Sequence, residues 1–376
     1  MATECVIRPW ERQLFVGCRR AWDLGAHERH ALEPATPSQV VDLDQAVKDA
    51  LAVYYFPGMW DWNRAIVAPL ATEAFTKSMR TQRQAYETAT GAGLHEAAVA
   101  RWEAHSAAGQ RLLPAYYAWA GVIDDWAATV QVETLFDVIV PEPGDAGTGL
   151  LAADGRGVLY RLRIDLVVVD DDGKYWLMEQ RLRRHSFAVL DDLLLDDVAL
   201  TRSWGWELGF LATIAGTIHN ELLLPQAGEP GPEDPGPLSS GAAGGPDDVE
   251  VIDLGSRQVQ RQSGRWFRRT RIPRPRAEIE SAGRRLAEQS RLMTRADLEC
   301  YPTPSSTSCP ACEFRSPCMT LMEGADPEPV LREGYRTRVQ RDFEEGRLGS
   351  VWGFVPHRPD HTHVRLNPPE PGTTTA

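Results

Sequence analysis

The sequence predicts an α/β protein in which a mixed sheet is flanked by helices. Three apolar or alternating runs, at residues 132–140, 157–170 and 174–183, are rich in Val, Leu, Ile and aromatic residues and are separated by Gly and Asp turns. Such runs are typical of successive strands of one sheet. Segments on both sides of them carry apolar residues at helical spacing, which predicts the flanking helices.

Residues 43–130 precede these strands and are rich in Ala, Trp, Tyr and Leu. Their apolar residues recur at three- and four-residue steps, and only a few breakers, such as Pro57 and Pro114, interrupt them. This pattern is typical of a bundle of helices. We therefore expect a helical N-terminal insertion that forms a wall beside the sheet.

The segments after the strands are predicted in turn. Residues 191–224 are long, apolar and periodic, which predicts a helix packed on the sheet and ended by Pro225. Residues 225–248 are dominated by Pro, Gly and acids, a composition typical of a flexible surface insertion. A returning strand is expected at 250–262, a helix from Ala277 to about Glu299, and a disordered tail beyond Pro356.

The composition favours a protein of the cytoplasm. The chain has 376 residues, enough for one large domain with an appended cap. Its first residues lack the pattern of a signal peptide, and no apolar run approaches the roughly 20 residues that a membrane span requires. We expect no membrane partner. In a reducing cytoplasm, six cysteines with this spacing favour ligands over disulfides.

The charge is unevenly distributed along the chain. A net charge of −13 argues against a protein that coats nucleic acid, yet residues 257–295 hold twelve Arg against three acids, a net of +9 that leaves −22 for the rest. Aromatic residues lie within this basic stripe. Two roles are therefore considered for it: nucleic-acid binding through base stacking and phosphate contacts, or a charged face exposed to solvent. The candidate nucleic-acid-binding residues are Arg265, Trp266, Arg268 and Arg269.

Three cysteines stand in the run CPACEFRSPC, with the spacing C-x2-C-x5-C. Cys309, Cys312 and Cys318 can wrap three thiolates around a metal or an iron–sulfur cluster, and a fourth sulfur is needed. Cys5, Cys18 and Cys300 are candidates, and Cys18 is the best placed because an apolar turn precedes it and Arg-Arg-Ala-Trp follows it. A structural zinc site is the alternative, but the x5 gap and the remote Cys18 favour iron–sulfur.

Two carboxylates are predicted to meet at one sheet edge. Asp165 lies in an apolar strand, and Glu179 lies on the next strand across a tight Asp-Gly turn. Arg181 points to the same face as Glu179, since strand side chains alternate with period two. Hard divalent cations such as Mg or Mn prefer carboxylate oxygens, so Asp165 and Glu179 are the candidate metal ligands.

In its order of motifs the chain resembles the RecB-type branch of the PD-(D/E)XK nuclease superfamily, the iron–sulfur exonucleases related to AddB and the CRISPR-adaptation nucleases. Four stretches carry the resemblance: CRRAW, RLRIDLVVVDDDGKYWLMEQR, WFRRTRIPRPRAEI and YPTPSSTSCPACEFRSPC. The resemblance implies a restriction-endonuclease-like mixed sheet, with Asp165 and Glu179 at the metal and Arg181 at the catalytic Lys position. It also implies a [4Fe-4S] cluster in a C-terminal region, held by Cys18, Cys309, Cys312 and Cys318.

The resemblance is incomplete at the active site. Lys48 stands near the position of the family's metal-binding His, and Leu162 stands where its hairpin has Gly. The family's Q-x-x-x-Y element maps onto Val198 and Arg202. Arg181 cannot release a proton as a catalytic Lys does, although a guanidinium can stabilise charge on a phosphoryl oxygen.

Two functions follow from this pattern. The first is a DNA exonuclease that acts on single-stranded ends, with catalytic residues Asp165, Glu179 and Arg181. The second is a non-cleaving relative that binds DNA or a protein partner. The expected divisions are an N-terminal segment (1–42), a helical insertion (43–131), a nuclease-like core (132–224), a disordered linker (225–248), a returning strand and Arg-rich helix (249–299), a cluster-binding region (300–356) and a disordered tail (357–376).

Overall fold

An eight-stranded mixed sheet forms the centre of the protein, and helices cover both of its faces. The computed structural model describes residues 4–36, 41–91, 93–225 and 249–338. The strands of these ranges are β1 Glu4–Ile7, β2 Leu32–Pro34, β3 Ala128–Ile139, β4 Pro141–Glu142, β5 Asp145–Gly149, β6 Gly157–Val169, β7 Tyr175–Arg183, β8 Ile214–Leu223, β9 Val249–Asp253, β10 Gln258–Ser263, β11 Phe267–Pro273 and β12 Tyr335–Thr337. The helices are α1 Pro9–Gly17, α2 Arg19–Gly25, α3 Leu43–Tyr54, α4 Arg64–Thr90, α5 Glu96–Ile123, α6 Leu190–Leu194, α7 Asp197–Phe210, α8 Arg276–Met293, α9 Arg315–Met322 and α10 Glu328–Gly334, with short 3-10 helices at Pro57–Met59 and Cys309–Ala311.

The strands of the main sheet run in the order β1-β6-β7-β8-β11-β10-β9. Strands β1 and β7 pair with two different segments of β6, and β3 pairs with β6 along most of its length. The β1–β6 and β7–β8 pairs are parallel, whereas the remaining pairs are antiparallel. The prediction of a mixed α/β sheet with flanking helices and an N-terminal helical region is confirmed at this level. The three predicted strands are present as β3, β6 and β7.

The turn between β6 and β7 explains why this hairpin could be predicted from the sequence. Gly173 has a φ of 76°, in the left-handed region that residues with a Cβ rarely adopt. Asp170 supports the turn by accepting hydrogen bonds from the backbone of Asp172 and Lys174. An Asp-rich turn with Gly at its left-handed position therefore joins the two strands that carry Asp165 and Glu179.

The predicted helix at 191–224 is wrong over its second half. Only α6 and α7 are helical there, and the chain then enters the strand β8. Strand β8 lies between β7 and β11 and is buried almost throughout. Its sequence is therefore a nearly continuous apolar run, and periodicity alone cannot distinguish such a strand from a buried helix. Leu211, in the left-handed conformation at a φ of 54°, ends α7 without a Gly signal.

Other boundaries also differ from the expectation. Residues 250–262 form parts of two strands, β9 and β10, because the chain turns at Gly255 (φ 76°). Helix α8 ends at Met293 rather than near Glu299. No strand was predicted at β1 or at the arginine-rich β11. The tail beyond Pro356 and nearly all of the predicted linker at 225–248 lie outside the described residues.

Two apolar layers hold the helices to the sheet. On one face, Tyr116 and Phe75 of the N-terminal helices share a core with strand residues such as Met178. On the other face, Trp204 of α7 packs in a core with strand residues such as Leu177. Each fully buried side chain of this size contributes roughly 1.5–3 kcal/mol, so burial on both faces fixes the sheet between its helices.

The N-terminal helical region consists of α3, α4 and α5. Of its predicted breakers, Pro57 begins a 3-10 helix, whereas Pro114 lies within α5. Within the described ranges, none of the helices combines the length and the apolar character needed to cross a membrane.

Candidate functional site

Asp165 and Glu179 lie side by side where the pairing of β6 changes. Strand β6 pairs with β1 over Gly157–Tyr160 and with β7 over Leu166–Val169, and Asp165 directly precedes the second segment. Glu179 follows Met178, the partner of Leu166. The Gln180 backbone N–H donates to Asp165 Oδ2 over 3.0 Å. Both carboxylates are buried, so their charges need partners within the protein.

Three cations from three elements surround these carboxylates. Arg181 of β7 donates to Glu179 Oε2 and lies 3.4 Å from Asp165 Oδ2. Arg202 of α7 contacts the same Glu179 oxygen and lies 3.6 Å from Asp165 Oδ1. Lys48 of α3 places Nζ 3.3 Å from Asp165 Oδ2. The sequence predicted Arg181 at this site, but it presented Lys48 and Arg202 only as departures from a pattern.

The electrostatics keep both carboxylates ionised. Burial raises the pKa of Asp165, but the charges of Lys48, Arg202 and Arg181 outweigh burial and hold this pKa well below its usual range. Burial also raises the pKa of Glu179, but the charges of Arg202 and Arg181 lower it by more, so this pKa lies below its usual value. Three positive charges therefore face these two carboxylates, and Asp44, whose Oδ2 lies 3.4 Å from Lys48 Nζ, places a third negative charge beside them. Glu179 Oε1 is the buried carboxylate oxygen of this pair that has no hydrogen-bond partner.

His219 completes the surroundings of Glu179. It is the cross-strand partner of Glu179 on β8, and it is fully buried. Its Nδ1 has no hydrogen-bond partner and lies 3.8 Å from Asp196 Oδ2. Burial, aided by the charge of Arg274, lowers the pKa of His219 to about 3, so the ring is neutral at pH 7. The sequence offered no signal for this neighbour, since His219 has no ligand spacing with other histidines.

The four predicted nucleic-acid-binding residues divide into two pairs. Arg265 is exposed, and its guanidinium lies 4.8 Å from the centre of the Trp266 ring. Arg268 donates to the buried Glu221 over 2.6 Å, and its guanidinium lies over Phe187. Arg265 thus lies at the surface and Trp266 is half-buried against the apolar core, whereas Arg268 already has a carboxylate partner inside the protein.

Arg269 is the second arginine held within the fold. It is 4% exposed, and it donates to Asp124 over 2.5 Å and to the Tyr55 hydroxyl over 3.2 Å. Burial raises the pKa of Asp124 to about 6 despite the charge of Arg269. The Asn220 amide links this group to Gln180, whose backbone binds Asp165. Arg269 therefore belongs to a buried polar network that connects the N-terminal helices to the carboxylate site.

The six cysteines all lie in the described residues as free thiols. Cys5 is buried within β1, and burial raises its pKa to about 12. Cys18 stands between α1 and α2, and it packs with Cys312 around a small apolar cluster that contains Phe314. Cys300 packs against the core shared by β6 and α7 instead.

Backbone amides face two of the predicted cluster sulfurs. The Thr303 N–H donates to Cys18 Sγ over 3.4 Å, and the Ser305 N–H donates to Cys309 Sγ over 3.3 Å. Burial raises the pKa of Cys312, and the charges of Cys18, Cys318 and Cys309 raise it further. In the part of the chain that the structure describes, no three His, Cys, Asp or Glu side chains form a group that could hold a single metal ion.

Comparisons with known proteins place the chain in no family. No family model matches the sequence, and no curated protein matches it. Among solved structures, one described as the crystal structure of SSO0001 is similar, with a TM-score of 0.27, 13% identity, and coverage of 74% of this chain and 84% of that one. A likeness this distant carries no functional argument, so the function rests on the residues of the site.

The burial of neutral His219 predicts a specific dependence of stability on pH. The pKa of His219 is about 3 in the folded protein and 6.5 in the unfolded chain. Below pH 6.5 the unfolded chain takes up a proton that the folded protein does not, so this residue's contribution to the free energy of unfolding is complete above pH 6.5 and is lost as the pH falls toward 3. Between pH 7 and pH 5, the wild-type free energy of unfolding should fall by about 2 kcal/mol more than that of His219→Gln. Urea unfolding at the two pH values measures this difference. Asp124 titrates in both proteins and cancels, and parallel curves would contradict the prediction.

Proposed function

We propose that this chain is a protein of the PD-(D/E)XK nuclease type that binds DNA without cutting it. The observation that supports the proposal is the neutralisation of Asp165 and Glu179 by Lys48, Arg181 and Arg202. The two acids match the family's metal-binding positions in sequence. The three cations stand where the family's pattern has His, Lys and Tyr. Lys48 and Arg202 add positive charge at this place, and Arg181 keeps the charge of the family's Lys.

The donor set does not fit a divalent metal. Mg or Mn would need Asp165 Oδ2 and Glu179 Oε2, which now bind nitrogen atoms, and this leaves Glu179 Oε1 as the unpartnered oxygen of the pair. A unit charge placed 4 Å from a like charge costs about 4 kcal/mol at an effective dielectric constant of 20, and a divalent ion would meet three such charges. Arg181 and Arg202 keep their protons at any physiological pH, so neither can become neutral to admit the metal. Arg181 also cannot serve as a base.

This proposal predicts that the wild-type protein neither binds Mn²⁺ at this site nor degrades DNA. In Arg202→Gln, one cation is lost and Glu179 Oε2 keeps only Arg181 as its partner, so we expect Mn²⁺ binding to appear and to be lost again when Asp165→Ala is added. Binding is read from the signal of free Mn²⁺ in electron paramagnetic resonance, with circular dichroism to confirm folding. Cleavage is read from end-labelled single- and double-stranded DNA.

The opposite result would identify an active enzyme. Metal-dependent degradation by the wild-type protein that disappears in Asp165→Ala would overturn the non-cleaving assignment and support the exonuclease alternative.

We further propose that Cys18, Cys309, Cys312 and Cys318 hold a [4Fe-4S] cluster. Four thiols are the ligand set of such clusters, and N–H donors to two of the sulfurs suit thiolates, which carry negative charge. When bound, the cluster would supply iron–thiolate bonds that join the start of α2 to the region around α9. Its role in this proposal is structural.

The cluster proposal predicts about four iron atoms per chain in protein purified without oxygen, together with a brown colour. Cys309→Ala should lose most of this iron because one of four ligands is removed. Cys300→Ala is the matched control, since Cys300 is a neighbouring thiol outside the proposed set, and it should retain the iron. Zinc in place of iron, or equal loss of iron in both variants, would contradict the assignment.

Arg265 and Trp266 support the DNA-binding part of the proposal. Arg265 is exposed, and no described carboxylate pairs with it, unlike Arg268 and Arg269. An exposed guanidinium beside an indole is suited to phosphate contact and base stacking in single-stranded DNA. The proposed DNA-binding surface is therefore smaller than the basic stripe at residues 257–295 suggested.

Arg265→Gln should therefore weaken binding of a single-stranded oligonucleotide. If Arg265 contacts one phosphate, the slope of log K against log salt should fall by about 0.7. The matched control is Arg284→Gln, which removes the same charge from an exposed position on α8. Fluorescence anisotropy at several salt concentrations measures both variants. Equal weakening in both would point to overall charge rather than a contact, and no binding by the wild type would favour a protein partner.

A further inference from the structure

Arg20 directs its charge at a sulfur atom. Its backbone N–H donates to the Tyr301 carbonyl over 3.1 Å, which ties α2 to the chain that leads to the cysteine run. From there the side chain reaches Cys318, with 3.9 Å between Nη1 and Sγ. This distance is within reach of an N–H···S hydrogen bond, since sulfur is larger than oxygen. Arg20 thus contacts a proposed ligand from a remote part of the chain.

The pairing of Arg20 is unusual for this protein. The chain has a net charge of −13, and most arginines named above bind a carboxylate. Among the described residues, none of the carboxylates forms an ion pair with Arg20 within 4.0 Å. Its neighbour Arg19 lies over the rings of Phe15 and Tyr301 instead. A half-buried guanidinium without an acid in an acidic protein is best explained by a different anion, and the nearest candidate is the sulfur of Cys318.

We propose that Arg20 is a positioning residue that donates a charge-assisted hydrogen bond to the Cys318 sulfur and thereby raises the reduction potential of the cluster. The inference rests on the proposed [4Fe-4S] cluster. Reduction by one external electron adds one negative charge to a cluster, and a nearby cation stabilises this reduced form more than the oxidised form. Hydrogen bonds to the cysteine sulfurs act in the same direction.

The test compares three variants of the full chain, purified without oxygen and reduced stepwise with dithionite. Arg20→Gln should shift the midpoint potential of the cluster to a more negative value. Arg20→Lys keeps the charge but not the guanidinium, so its potential should lie between that of Arg20→Gln and that of the wild type. The control is Arg29→Gln, because Arg29 Nη2 lies 3.8 Å from the sulfur of Cys300, which is outside the proposed ligand set. Its potential should equal that of the wild type. The measurement is electron paramagnetic resonance of the reduced cluster during the titration.

The results separate this proposal from the cluster itself. A wild-type potential in Arg20→Gln with a full complement of iron would overturn the role of Arg20 and leave the cluster in place. A shift in Arg29→Gln of the same size would also overturn it, because the effect would then not depend on contact with Cys318. Wild-type protein without iron would overturn both proposals. If Arg20→Gln fails to fold, Arg20→Lys decides, since an unchanged potential there contradicts any dependence on the guanidinium.

Discussion

The neutralisation of two buried carboxylates is the constraint on which the centre of the structure depends. Moving an ion out of water costs several kcal/mol even after relaxation, and here Asp165 and Glu179 are buried side by side. Their partners arrive from α3, β7 and α7, which lie in different layers. The ion cluster therefore fixes one helix on each face relative to the sheet. Removal of one cation would leave each carboxylate with at least one other cationic partner, but with less compensation for its burial.

The same physics explains why part of the basic stripe is not available at the surface. Acids that are remote in the sequence come beside its arginines in the fold: Glu221 binds Arg268, and Asp124 binds Arg269. Glu221 also binds Arg183 of the neighbouring strand, so one buried carboxylate serves two guanidinium groups. Counting charge along a segment measures neighbours in sequence only. The pairing that decides whether an arginine is available to a phosphate is set by strand register.

The parts of the fold that could be predicted are those encoded locally. The hairpin of β6 and β7 has alternating side chains and a turn with Gly173, and the prediction placed Asp165 and Glu179 together on this basis. Strand β8 was misread because burial on both faces removes the alternation that marks a strand. Strand β11 was missed because its arginines are polar in sequence but paired with acids in the fold. Lys48 and Arg202 were placed at the site only by the resemblance, as departures from its pattern, because local sequence does not show that packing brings α3 and α7 to the same two carboxylates.

Contacts of the polypeptide itself join the two ends of the described chain. Strand β12 pairs with β2, and Arg336 binds Glu33 across this pair. These contacts, together with the Arg20–Tyr301 hydrogen bond, close a loop of most of the chain, and the entropy of loop closure rises only slowly with length. Cys18 and Cys312 therefore meet at one apolar cluster as a result of folding. A cluster bound there would gain affinity from this prior organisation and would reinforce a closure that the polypeptide already makes.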